Sequence, residues 1–467
     1  DKSGKRWAHP NTGVIVRANP DGSDFEVFAH GVRNTHEFVF DKFGNLISVD
    51  NDGDHPGEKE RLVYLINGSD SGWRINWQFG KYTDPDNNTY KVWMEEEMYK
   101  PRWEGQAAYF LPPIANYHSG PTGMLYNPGT ALGPHWQEKF FIVEFTGSPA
   151  RSSVYAFELK PKGAGFEFVG EEEVLNGILV TGLEFGPEGA LYAADWIQGW
   201  GAKDRGRIWK IDDPAQADSK ERQETKALIQ EDFAQRQPSD LLPLLHNKDM
   251  RIRQKAQFEL AKRGKKGLKI FEAAIAQKEH QLSRIHGIWG IWQLAQKRAD
   301  HAKLMLPLLQ DEDPEIRAQA AKILGDIRYA AAGGELLALL SDTAPRVQLF
   351  ATEALGRITY KNAVPGILDL VEANDDKDTY LRHAAAIALA RIGETEPLIA
   401  LHTHPSKALR TVAVVALRRM QAPGIAQFLA DEDEFIVTET ARAINDDYSI
   451  EEALDDLALL LKDDRFS

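Results

Sequence analysis

From residue 249 onward one short pattern returns at intervals of about 30 residues, the signature of an array of helical units. The copies are Asp249, Ile252, Arg253 and Ala256; Asp313, Ile316, Arg317 and Ala320; Ala344, Arg346, Val347 and Ala351; Asp378, Leu381, Arg382 and Ala385; and Lys407, Arg410 and Ala413. Each opens a helix, with Asp suited to cap it. Upstream of most copies lies a shorter apolar stretch, such as 241–245, 305–309 or 335–340, which reads as the first helix of a pair. A Pro or Asp between the two ends the first helix. Neither helix of a pair can bury its apolar face alone, so neighbouring pairs must stack into a superhelix with one continuous core. About seven units are expected, the last with Val437 where the others place Arg. The arginines are expected to pair with aspartates of the adjacent repeat in an internal ladder rather than to form a ligand site. Trp289 and Trp292 read as core or domain-interface packing rather than a binding platform.

The N-terminal half has a different period. Phe40, Gly44, Leu46 and Asp50 recur at a fixed offset of 145 as Phe185, Gly189, Leu191 and Asp195. Each set describes an apolar strand, a turn that needs Gly, and an alternating strand ending in Asp. A third, degenerate copy starts at Thr122 and runs on through 139–144, and each hairpin is followed by a further strand at 61–66, 153–157 or 207–211. Gly13 to Arg17 read as the same following strand from an earlier unit. Such repetition is the mark of propeller blades. Three blades and a fragment cannot close a ring, so the chain is expected to begin inside a larger propeller. The resulting division is an all-β partial propeller at 1–212, a linker or helix at 213–239, and an all-α solenoid at 240–467.

Composition removes several chemistries. A net charge of −15 argues against a phosphate-binding surface, so no nucleic-acid partner is expected. With no cysteine there is no disulfide, thiolate metal site, Cys nucleophile or C-x-x-C-H haem attachment within these residues. No apolar run reaches the length of a membrane span.

The helical half resembles the HEAT family in its short bacterial variety. In the β half, Arg33, Asn34 and His36, the carboxylates Asp50, Asp52 and Asp54, and the run Gly72, Trp73 and Arg74 resemble the quinoprotein glucose/sorbosone dehydrogenase propellers. The branch it looks closest to occurs in large bacterial proteins where the propeller precedes HEAT repeats and a c-type cytochrome. That resemblance implies a cofactor-binding set of Arg33, Asn34 and His36 for pyrroloquinoline quinone, with His36 standing where those enzymes carry Gln. It also implies haem c in a domain outside this chain, and an extracytoplasmic location. Asp50, Asp52 and Asp54 are candidate Ca²⁺ ligands, with an Asx-turn as the alternative. His118 is the candidate catalytic base, with a structural loop His as the alternative.

Residues 68–117 hold eleven aromatic residues, including Trp73, Trp77, Trp93 and Trp103, which suit either sugar stacking or the covering of blade edges. Two functions follow. One is a sugar or alcohol dehydrogenase-like module passing electrons to the haem domain. The other is a non-catalytic module binding carbohydrate or protein, with a protein partner on the solenoid.

Overall fold

The computed structural model describes residues 1–51, 58–75, 91–202 and 204–462. Up to Ile211 the described residues hold one short α-helix, Lys91–Glu95, and these strands: β1 (Gly13–Arg17), β2 (Glu26–Val32), β3 (Thr35–Phe40), β4 (Leu46–Asp50), β5 (Glu60–Leu65), β6 (Ser69–Asp70), β7 (Ala115–Tyr117), β8 (Pro121–Tyr126), β9 (Phe140–Glu144), β10 (Ser153–Lys162), β11 (Gly165–Asn176), β12 (Val180–Phe185), β13 (Leu191–Asp195) and β14 (Arg207–Ile211). They form four sheets, in the orders β1-β2-β6, β3-β4-β5-β7, β11-β10-β9-β8 and β12-β13-β14. Strand β8 packs beside both β3 and β12, so the leading strands of three sheets lie together.

The hairpin signal at offset 145 has a physical cause at each turn. Gly44 and Gly189 adopt φ of 74° and 83°, a region that side chains disfavour. In the first hairpin, the Asp41 carboxylate also accepts the amides of Phe43 and Asn45, both at 2.9 Å. The turn is thereby closed from both sides.

The longer helices are α1 (Lys220–Gln230), α2 (Met250–Lys262), α3 (Lys265–Ile275), α4 (Gln281–Ala295), α5 (Pro314–Asp326), α6 (Pro345–Arg357), α7 (Val364–Asn374), α8 (Thr379–Ile392), α9 (Lys407–Met420) and α10 (Glu434–Ile444). Helices α2, α4, α5, α6, α8, α9 and α10 are the second members of successive pairs. Several first members are 3₁₀ segments, such as Ala299–Gln310 and Pro423–Ala430. Pro307 removes a donor inside the former. Asp249, Asp313, Asp378 and Asp433 cap their helices by accepting an amide two residues on, each at 2.9 Å.

The arginine ladder is present in part. Arg284 pairs with Asp311, Arg317 with Asp342 at 2.7 Å, and Arg410 with Asp431 at 2.7 Å, each one repeat ahead. Those aspartates end the first helix and also accept the amide two positions on, which fixes them at the turn. Three rungs differ: Arg253 turns to the carbonyls of Asn247 and Lys248 and to His286, Arg346 pairs with Glu315 of the preceding repeat at 2.8 Å, and Arg382 pairs with Asp376 of its own repeat.

The two halves share one hydrophobic core that runs from Ile47 and Tyr64 in the sheets to Ile444 in the last repeat. Polar contacts follow the same line, one repeat after another. Asp249 accepts the Thr130 hydroxyl at 2.6 Å, and Gln319 donates to the Phe43 carbonyl at 2.8 Å. Asp326 takes Arg17 at 2.8 Å, while Arg346 donates to Asn45 at 2.7 Å. His383 meets the Asn67 carbonyl at 3.2 Å, and Glu439 accepts the Ala108 amide at 2.8 Å. Inner faces of the second helices are thus occupied by the sheets. A protein partner expected on the solenoid meets helix faces already covered along this line.

Most described aromatic residues of the insertion serve the core: Trp73, Trp93, Tyr109 and Phe110 are buried, whereas Trp103 is exposed, and Trp77 lies outside the described residues.

Candidate functional site

Antiparallel pairing of β3 with β4 brings the residue after β2 against the end of β4. The Asp50 carboxylate accepts the amides of Arg33 at 2.9 Å and Asn34 at 3.0 Å. Its other neighbour is Arg61, directly opposite on β5, whose guanidinium donates to it at 2.8 Å with both side chains fully buried. Arg61 also donates to the carbonyls of Gly31 and Ser71 and lies over the Trp93 ring at 4.9 Å. The Arg33 guanidinium donates to the Asn51 carbonyl at 2.8 Å. Asn34 and His36, both exposed, meet each other at 3.0 Å.

This arrangement is a seam. A buried carboxylate that accepts from a guanidinium, two amides and the Thr35 hydroxyl at 3.2 Å has its acceptor positions occupied, so Asp50 does not fit a Ca²⁺ ligand. Asp52 and Asp54 lie outside the described residues. Among the described residues no group of three metal-ligating side chains occurs. Arg33 and Asp50, assigned from sequence to a cofactor and its cation, meet through the Arg33 backbone amide and the Asp50 carboxylate, which holds the seam together.

The equivalent of Asp50 supports the same conclusion. Asp195 ends β13, faces Arg207 on β14 at 3.1 Å, and accepts the Ile197 amide and the Trp209 indole at 2.8 and 3.0 Å. What repeats at offset 145 is therefore a structural lock. The third copy lacks it, with Glu144 opposite Ser153.

His118 stands at that third sheet. Its Nε2 meets Glu171 at 2.9 Å, its Nδ1 faces Glu144 at 3.7 Å, and its ring stacks on Tyr155 with centroids 3.9 Å apart. Both ring nitrogens face carboxylates. The role of general base needs a nitrogen directed at substrate, and the structural alternative describes His118 better.

Sequence reasoning missed a cleft of about 360 Å³ between the first two sheets and the solenoid. Its walls are Phe38, Phe40 and Phe43 from the first hairpin, and Phe258, Trp289 and Trp292 from α2 and α4. Phe38, Phe40 and Phe258 are close to half exposed. Trp289 is fixed by a hydrogen bond to Gln319 at 2.9 Å and lies against Gly44, where an added Cβ would stand 3.1 Å from the indole. That agrees with interface packing, yet the same ring also lines the cleft. Gln254 and Gln293 supply amide groups at the wall. Deeper in, burial pushes the Tyr64 hydroxyl up to about 12 and raises Asp41 and Glu353. The cleft offers stacking and hydrogen bonding. The only sequence signal for it was the apolar spacing of Phe38 and Phe40 on the outward side of β3.

A family model for HEAT repeats matches residues 333–417, and another for a single HEAT repeat matches 303–327. The helical region is a HEAT-repeat solenoid. Among solved structures, a glucose dehydrogenase is 18% identical over 42% of this chain and 49% of that one, with a TM-score of 0.29. An oxidoreductase (glucose dehydrogenase) from Thermus thermophilus is 16% identical over 40% and 47%, with a TM-score of 0.27. The complex of CpcE and CpcF of phycocyanin lyase from a Nostoc species is 19% identical over 50% and 97%, with a TM-score of 0.29. The chain spans about half the length of the two glucose dehydrogenase chains. Likenesses at these scores carry no functional argument. No curated protein matches. No helix among the described residues is long and apolar enough to cross a membrane.

Proposed function

We propose that the chain is a non-catalytic binding module, in which a partial propeller and the HEAT region jointly hold a small sugar or alcohol with one apolar face. The observation that supports this is the aromatic cleft, whose two walls come from separate halves of the molecule. Pockets of a few hundred Å³ with aromatic walls and a few convergent polar groups are the usual form of small-ligand sites. A sugar ring would lay its C–H face on Phe40 or Trp289 and direct its hydroxyls to Gln254 and Gln293.

The quinone-dependent dehydrogenase implied by resemblance is the reading this one replaces, because Arg33 and Asp50 hold the seam and both His118 nitrogens face carboxylates. Transfer of electrons to a haem domain and an extracytoplasmic location rest on that resemblance alone. Titration of tryptophan fluorescence with glucose tests the proposal. Saturable binding that is lost in Phe40→Ala, a half-exposed position, supports it. Reduction of a redox dye by glucose after reconstitution with pyrroloquinoline quinone and Ca²⁺ would replace it with the dehydrogenase.

A further inference from the structure

A second cavity of about 340 Å³ lies at the far end of the solenoid, between the one-turn helix Lys91–Glu95 with the chain that follows it and the last repeat. We propose that it binds a small alkylammonium ligand, an amine or diamine. The argument starts from Tyr109. This residue is 5% exposed, its hydroxyl has no hydrogen-bond partner among the described residues, and it lines the cavity. A buried hydroxyl without a partner is uncommon and calls for an explanation. One ring face is already covered by the Arg418 guanidinium at 4.2 Å, so the ring itself is not the open feature.

The charges beside it are unevenly matched. Glu96 and Asp446 both line the cavity. Arg442 is shared between Glu96 and Glu439, and Arg418 reaches Asp446 only at 3.4 Å while donating to the Arg442 carbonyl at 2.8 Å. Arg74, next in the network, is divided between Asp70 and Asp447. Burial first, and then neighbouring carboxylates, raise both Glu96 and Asp446 despite these arginines. With Arg419 beside Arg74 and Arg418, the four guanidiniums of this network face five carboxylates, those of Asp70, Glu96, Glu439, Asp446 and Asp447, and two of the five line the cavity. An ammonium carries three donors and no acceptor. Its natural acceptors here are the two carboxylates and the Tyr109 oxygen, while Met98 and Leu457 offer apolar surface to its methylenes. A metal ion is a poorer occupant, because no metal-ligating group of three occurs among the described residues.

The test uses the full chain near neutral pH, with 1,4-diaminobutane as probe and 1,4-butanediol as its uncharged isostere, followed by calorimetry. The diamine should bind with millimolar or better affinity and the diol should give no saturable heat. Asp446→Asn should weaken diamine binding tenfold or more. Tyr109→Phe, which removes a hydroxyl bonded to nothing among the described residues, should leave the melting temperature unchanged and weaken binding several-fold. Equal heats from diol and diamine, no binding of the diamine, or wild-type affinity in Tyr109→Phe would each overturn the proposal.

Discussion

Asp50 and Arg61 face each other across β4 and β5 at 2.8 Å with neither side chain exposed, whereas their counterparts Asp195 and Arg207 meet at 3.1 Å with the arginine half exposed. The same pair of residue types thus works in two dielectric settings. Removing one member of a buried pair leaves an uncompensated charge, so Asp50→Ala should cost about 3–5 kcal/mol. Asp195→Ala leaves a solvated arginine and should cost about 1–2 kcal/mol, mostly for the amide and indole it serves. Urea denaturation of the two variants checks this, and equal losses would contradict the assignment.

The solenoid ladder gives a second expectation. Arg317 reaches Asp342 with both ends largely buried, and it also holds the Asp311 carbonyl at 2.7 Å. Arg317→Ala should therefore destabilise by about 1–3 kcal/mol, while the exposed Lys297→Ala should stay within about 0.5 kcal/mol. Matching melting temperatures for the two would refute a structural ladder.

Two buried histidines set a pH dependence. Burial, and then Arg419 beside it, pushes His383 down to about 3, and burial with Arg253 nearby holds His286 well below its ordinary value. Unfolded, each would take up a proton near pH 6.5, so between that value and the folded pKa the unfolded chain binds more protons. Stability then rises with pH in this window and falls on acidification, by up to about 1.4 kcal/mol per pH unit for each histidine. Denaturation midpoints measured at about pH 7 and about pH 5 should differ accordingly. His383→Gln should reduce the difference, and an unchanged slope would show that His383 titrates normally.

The hairpin of β10 and β11 touches α8 through a doubly used cap. Asp378 caps α8 through one carboxylate oxygen and accepts the Ala164 amide at 2.6 Å through the other. Beside it, a Cβ at Gly165 would stand 2.1 Å from the Tyr380 ring. Gly165→Ala should push the hairpin tip off the helix and raise amide exchange at 163–168, with little change in α4. Unchanged protection at the tip would mean that the contact does not form.

The HEAT half was legible because its information is local. A period near 30, a capping Asp and an arginine at a fixed position each act within one or two helical turns, so the sequence alone determined the second helices and the rungs made by Arg317 and Arg410. The hairpins were legible for the same reason, since Gly44 and Gly189 are required by turns that their own neighbours close. What tertiary structure decided was the use of those elements. The offset of 145 marked Asp50 and Asp195 as equivalent, but only the pairing of β4 with β5 showed that the carboxylate meets Arg61 rather than a cation. Arg253, Arg346 and Arg382 carry the ladder pattern and still bond elsewhere, to His286, Glu315 and Asp376. The cleft, the covered inner face of the solenoid and the Tyr109 cavity all join residues distant in sequence, from 119 positions apart at Thr130 and Asp249 to 331 at Ala108 and Glu439. Periodicity in a sequence reports which face of an element is apolar, and it carries no record of which distant surface that face will meet.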